Sequence, residues 1–294
     1  MRAAERGILL LCCHLADPDA RPLSLAQFRE LSLRANAMGL PGDDPLSCVR
    51  EKELLRLGYD EAQAHRIVGL LDREDLLDQY LSGMKHARIA VLTRVSEQYP
   101  VILAKKLGLS CPPVLFAKGD LSLLRYRAVS VVGSRKLEPE GFAFAQTAGR
   151  LIAQEGFALC SGGAEGADRT AQRAALENGG CAVIYTPLEL WKIRPEAQTL
   201  YLSEDGFELP FTAQRALSRN RLIHANGEKV LVAQVRNGVG GTWSGTVENL
   251  RHEYSPVFVH DDGSEGAQAL MARGATGVKS LHCVSALESG QLHF

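Results

Sequence analysis

With 294 residues, 46% of them hydrophobic and 23% charged, the chain has the composition of a globular protein large enough for two domains. Lys+Arg 33 against Asp+Glu 34 leaves a net charge of −1, so the molecule as a whole does not attract a polyanion, which would need a local basic groove. Seven scattered cysteines without a Cys-x-x-Cys pair argue against a zinc site or a disulfide scaffold and for reduced thiols in a cytoplasm.

Residues 1–95 read as a small all-α domain. Ile8 to Leu15 is a first apolar segment, too short for a membrane span and without a signal-peptide cleavage pattern. Pro22 and Ser24 open a second helix through Met38, closed by Gly39, and another runs from Asp44-Pro45 to Leu57-Gly58. Asp60 caps a helix carrying Ala64, Ile67, Val68 and Leu71. Leu54 to Tyr59 with that helix resembles a helix-hairpin-helix or sterile-alpha-motif-like piece, which packs against a partner as often as it touches nucleic acid.

Residues 96–294 read as an α/β domain. Pro100 opens a short helix to Leu107, Pro112-Pro113 breaks it, and Val114 to Asp120 is predicted as an edge strand and turn. The densest signal is a βαβαβ unit from Ala128 to Thr186. Ala128 to Val132 is a β-branched strand ending at Gly133-Ser134-Arg135-Lys136, and Pro139-Glu140 open a helix with Phe142, Ala145, Ala148, Leu151 and Ile152 on one face. Phe157 to Cys160 is the second strand. Ser161 to Asp168 is a glycine-rich turn into a helix, and Cys181 to Tyr185 is the third strand. Further strands are predicted at Leu200–Glu204, Val230–Val235, Val257–Val259 and around Val278–Val284. Helices are predicted over Thr212–Ala225 and from Ser244, after a turn at Gly238–Gly241.

Strands alternating with amphipathic helices imply a mainly parallel sheet with helices on both faces, whose ligands bind beyond the carboxyl ends of the strands. There the two turns offer glycines, hydroxyls and helix N-termini, which is chemistry for a phosphate, although glycines also serve simply to make tight turns. Asp168 is placed to orient the loop or a ribose, or to cap the helix. No G-x-G-x-x-G follows the first strand and no G-x-x-x-x-G-K-[ST] loop occurs, so neither a redox nor an ATP cofactor is expected. The eight histidines show no metal-ligand spacing, and no nucleophile–base pair stands out, so neither a metal nor a catalytic residue is assigned.

Four features in order resemble the DNA-processing protein A (Smf) family. They are Tyr99-Pro100 with Pro112 to Phe116 and Gly119-Asp120; Val131 to Arg135; Ser161 to Ala164 with Gly166, Asp168, Ala174 and Ala175; and Arg219 to Ile223 ahead of Ser244-Gly245-Thr246. The resemblance covers roughly residues 95–260. It implies a Rossmann-like domain that binds single-stranded DNA and supports recombinase loading in natural transformation, with a RecA-type recombinase as partner and a homodimer as assembly. Matched motif by motif, it implies a phosphate pocket of Gly133, Ser134, Arg135, Lys136, Ser161, Gly162, Gly163 and Gly166, with Arg219, Asn220, Arg221, Ser244, Gly245 and Thr246 on its other side. The chain departs from the family pattern at Glu165, an acid inside the phosphate loop. It departs again at Ala216-Leu217-Ser218, which replaces an aromatic-proline step, and it leaves no room for a winged-helix tail.

An alternative from another class is a nucleotide-derivative enzyme or sensor. Gly240-Gly241 and Gly245-Thr246 near Glu248 resemble the signature of phosphoribohydrolases, with Glu248 as acid residue; its plainer role is a favourable charge in a helix's first turn. Arg125, Arg127 and Arg173 are candidates to extend a basic groove. Trp243 either stacks on a base or plugs the sheet edge, and His224 either faces the pocket or joins the core.

Overall fold

A computed structural model describes residues 1–37 and 49–288. The helix end expected at Met38-Gly39 and the helix start at Asp44-Pro45 lie outside the described residues. In chain order the elements begin α1 (Ala3–Cys12), α2 (Leu25–Ala37), α3 (Glu51–Arg56), α4 (Glu61–Leu71), α5 (Glu74–His86), β1 (Ala90–Thr93), α6 (Val101–Leu107) and β2 (Val114–Gly119). The central unit follows as β3 (Ala128–Val132), α7 (Pro139–Gln154), β4 (Ala158–Ser161), α8 (Ala167–Glu177), β5 (Cys181–Tyr185) and β6 (Thr199–Ser203). The chain continues through α9 (Ala213–Ser218), α10 (Asn220–Asn226), β7 (Val230–Val232), α11 (Gly240–His252), β8 (Val257–His260), α12 (Glu265–Met271) and β9 (Thr276–Val278).

The strands form one sheet in the order β1-β2-β6-β5-β4-β3-β7-β8-β9. The pairs β1/β2 and β2/β6 are antiparallel, and all the others are parallel. The fold is thus the Rossmann-like, mainly parallel α/β arrangement the sequence pattern implies. The strand expected at the edge, β2, is second in. Outside it lies β1, whose residues Ala90–Thr93 give too short a run to stand out beside the preceding helices.

Alternation along each strand sorts the core into two layers. Val129 and Val131 of β3 with Leu159, Ala182, Ile184 and Leu231 face α7 and α8. Their neighbours Ala128, Val132, Cys160, Val183 and Val230 face α6, α10 and α12. A third core packs α1 to α5 against Val114 and Phe116 of β2, burying Leu9, Leu54, Ala64, Leu77 and Tyr80. Cys160 and Cys181 sit in these layers as small apolar groups.

On α7 the buried face runs through Gly141, Phe144, Ala145, Ala148 and Ile152. Phe142, placed on that face by the sequence pattern, is instead 49% exposed, because neighbouring Phe144 takes the inward position. A Cβ on Gly149 would overlap the carbonyl of Ala171, so α7 and the alanine-rich α8 approach backbone to backbone.

Two more expectations change. The helix expected over Thr212–Ala225 divides into α9 and α10 around Arg219, and α11 begins at Gly240 rather than Ser244. Glu248 therefore lies well past the first turn of α11, where the Tyr254 hydroxyl donates to it at 3.4 Å. No described helix is long and apolar enough to cross a membrane.

Candidate functional site

The turns after β3 and β4 interlock. A Cβ on Gly133 would overlap the Cβ of Ala167, and one on Gly166 (φ +85°) would overlap the backbone of Ser134 and Arg135. Only glycine lets the two turns approach this closely. Ala167 N–H then donates to Ser134 O at 3.2 Å, and Ser134 N–H to Gln234 O at 2.9 Å. The Thr242 hydroxyl donates to Gly133 O at 2.8 Å, which ties the start of α11 to the turn after β3.

Asp168 organises the second turn. It is the second residue of α8, buried, and one of its oxygens accepts the N–H groups of Gly162 (3.0 Å) and Ala164 (3.3 Å). Gly166, with no side chain to offer, stands at the cap position expected of Asp168. Two amides of the glycine-rich loop thus point inward to a carboxylate, which leaves the charge of the site to side chains. Burial pushes the Asp168 carboxyl up, opposed by the Arg219 guanidinium and those two amides.

Arg219, at the junction of α9 and α10, lies flat on this loop. Its Nη2 donates to Gly162 O at 3.2 Å and its Nη1 to Asn220 Oδ1 at 2.7 Å; a Cβ on Gly162 would overlap the guanidinium. Its Nε is buried with no partner among the described residues. Burial lowers its pKa and Asp168 opposes that, but a guanidinium stays charged throughout.

Beyond the carboxyl ends of β4 and β5 opens a cleft of about 1040 Å³. Arg135, Arg169, Arg173 and Arg219 line it, against Glu165, Glu177 and Glu196. Arg169 pairs with Glu165 at 2.9 Å, so the acid in the loop is turned onto a neighbouring cation. Arg135, Arg173 and Arg219 make no ion pair among the described residues. Free guanidinium groups beside a glycine turn are suited to gripping phosphate oxygens bidentately.

Of the residues matched from sequence, Arg135, Gly162, Gly163, Gly166 and Arg219 line this cleft. Gly133, Ser134 and Ser161 form the wall behind it, and Lys136 is exposed beside Arg135. Asn220 reaches from Arg219 to Gly241 O at 3.1 Å. Arg221 turns away from the cleft and makes a two-pronged pair with Glu204 at 2.9 and 2.5 Å. Ser244 sits on α11 and bonds its own helix backbone. Gly245 and Thr246 are buried, with the Gly245 backbone against Asn220 and His224, so these residues serve helix packing.

His224 is a core residue, 1% exposed, its Nδ1 bonded to Asn249 Nδ2 at 3.1 Å. Trp243 packs on the core with the Arg273 guanidinium 5.0 Å above its ring. Arg127 precedes β3, at the far end of the sheet from the cleft, and pairs with Glu228 at 2.6 Å; Arg125 lies beside it. Arg173 does join the cleft. Arg169 was missed, though it stands four residues before Arg173 on the exposed face of α8, a spacing that signals it.

The model of the DNA recombination-mediator protein A family matches residues 90–287. DNA processing protein DprA of Streptococcus pneumoniae is 33% identical over 189 residues, covering 58% of this chain and 64% of that protein. Protein Smf of Escherichia coli is 30% identical over 178 residues, covering 56% and 48%. The matches thus span less than two thirds of either relative. The X-ray structure of the S. pneumoniae protein superposes with a TM-score of 0.72 at 23% identity, covering 95% of this chain and 96% of that one. A structure of DNA processing protein A from Helicobacter pylori, described for its single-stranded DNA binding mode, superposes with a TM-score of 0.54 at 26% identity over 66% and 92%. The matched residues contain every strand of the sheet and both interlocked turns, and the chain belongs to the DNA recombination-mediator protein A family.

Proposed function

We propose that the chain binds single-stranded DNA and takes its phosphates in the cleft lined by Arg135, Arg173 and Arg219. The observation that carries this reading is that these three guanidinium groups, free of ion pairs among the described residues, share one cleft beyond the strand ends in a chain of net charge −1. Positive charge without a partner is costly to gather unless an anion is to neutralise it. The description of the H. pylori relative supports the strand as that anion. The family's name supports delivery of the bound strand to a recombinase as the following step; a homodimer acting in the cytoplasm completes the reading.

The test is fluorescence anisotropy of a labelled oligo-dT across a salt series, with mononucleotide as competitor. Binding should weaken with salt with a slope reporting several phosphates, and mononucleotide should displace little of the strand. Arg135→Ala should weaken binding about tenfold and reduce the slope by roughly 0.7, the share of one single-strand phosphate, without changing the melting temperature. Unchanged affinity in this variant sinks the cleft assignment. Full displacement by mononucleotide favours the small-molecule alternative.

A further inference from the structure

We propose that Phe142 and Phe211 are stacking platforms for unpaired nucleobases, so that the cleft reads both the charged edge and the aromatic faces of a strand. This inference rests on the reading of the cleft as a single-stranded DNA site. Among the described phenylalanines, Phe28, Phe116, Phe144, Phe157 and Phe258 are buried, and Phe207 is wedged between Tyr80 and Phe116 at ring distances of 4.9 and 6.2 Å. Phe142 and Phe211 alone are exposed, at 49% and 48%, and both line the arginine cleft.

Neither ring hangs on a loose segment. Phe142 is in the first turn of α7, its N–H bonded to Glu138 O at 2.9 Å. Phe211 follows Leu209 and Pro210, whose carbonyls both accept from Arg215 Nη1 at 2.7 Å, so the chain that presents it is tied down. An exposed ring leaves apolar surface in water, and covering it is favourable. The occupant that matches exposed rings and guanidinium groups lining one cleft is a polymer with phosphates along one edge and free aromatic faces along the other. A duplex hides those faces inside its stack; a single strand presents them.

The experiment compares oligo-dT with an abasic phosphodiester strand of equal length, binding each to the parent, Phe142→Ala, Phe211→Ala, Phe211→Leu and Phe211→Trp chains. Phe211→Ala and Phe142→Ala should each weaken oligo-dT binding about tenfold, the order measured for a base–aromatic stack. Neither should change abasic-strand binding, the salt slope or the melting temperature. Phe211→Trp should retain the parent affinity, whereas Phe211→Leu, with similar apolar bulk, should not. Equal losses on both strands would make the rings mere walls of the cleft and overturn the inference, as would unchanged oligo-dT binding in both alanine variants. If the parent binds the abasic strand and the rings have no effect, stacking fails while the phosphate reading stands. If it binds neither strand, both fall.

Discussion

Arg219 and Arg221 are two residues apart and end in opposite circumstances. Arg219 faces the cleft above β4 and β5, bonded to Gly162 O and Asn220, with the buried Asp168 carboxylate acting on it but no ion pair among the described residues. Arg221 faces a groove between the helical region and α9 to α11, where Glu204 holds it in a two-pronged pair with side chains 15% and 7% exposed. In that groove Arg215 is saturated too, giving hydrogen bonds to Asp205, the Ser203 hydroxyl and three carbonyls. The two spaces are similar in size, about 1040 and 1190 Å³. What differs is that Arg215 and Arg221 of the groove are each held by a carboxylate, whereas Arg135, Arg173 and Arg219 of the cleft make no ion pair among the described residues.

The sharpest way to break this comparison is Arg221→Ala. It strands the Glu204 carboxylate in a nearly dry site, and breaking a buried pair in this way costs about 3–5 kcal/mol. The urea midpoint should fall accordingly, while oligo-dT affinity of the folded protein stays at the parent value. A variant as stable as the parent would make the groove as free as the cleft.

A second test uses His224, on the helix between the two regions. Burial first, and the Arg219 charge second, push its pKa from the ordinary 6.5 down to about 3. The unfolded chain therefore takes up a proton that the folded chain refuses. The stability this ring contributes is complete above about pH 6.5 and is lost as pH falls toward 3. Urea midpoints of the parent should fall more steeply through that window than those of His224→Asn. Equal slopes would mean that water reaches the ring and that α10 does not seal the floor between cleft and groove.

The smallest expected effect is at Glu165. Its pair with Arg169 is exposed on both sides, 71% and 65%, and such pairs contribute about 0–1 kcal/mol. Glu165→Gln should leave the melting temperature in place while freeing Arg169. Strand affinity should rise by about threefold, with a steeper salt slope. A drop in affinity would show that the acid positions Arg169 rather than competing with the strand.

Much of the fold was legible because its signals are local. The β-branched runs, Pro139 at the start of α7 and the glycines after Val132 and Ser161 each report a backbone requirement at their own position. Of the residues read from sequence for the candidate site, Arg135 and Gly162 follow directly from the strand–turn pattern, whereas Arg219 reaches Gly162 across 57 residues and was found only by motif. Arg221 could not be sorted from Arg219, because the deciding partner, Glu204, lies 17 residues upstream. Gly245 reads like a ligand-loop glycine, yet it is small because α10 passes beside it. Phe142 and Phe144 are indistinguishable as letters. Phe144 turns inward onto the His260 ring of β8, 4.6 Å away and more than a hundred residues downstream, a contact no local pattern reports.

The interlocked turns also bear on kinetics. Gly162 and Ala164 are already tied to Asp168, and Ser134 to Ala167 and Gln234, before any strand arrives. On the proposed reading of the cleft as a strand site, binding would require none of these turns to be ordered, and the conformational entropy lost would belong mainly to the DNA. For a surface prepared in this way, encounter is governed by diffusion and long-range charge. Differences between bases, or between side-chain variants of the rings, belong instead to how long a captured strand stays.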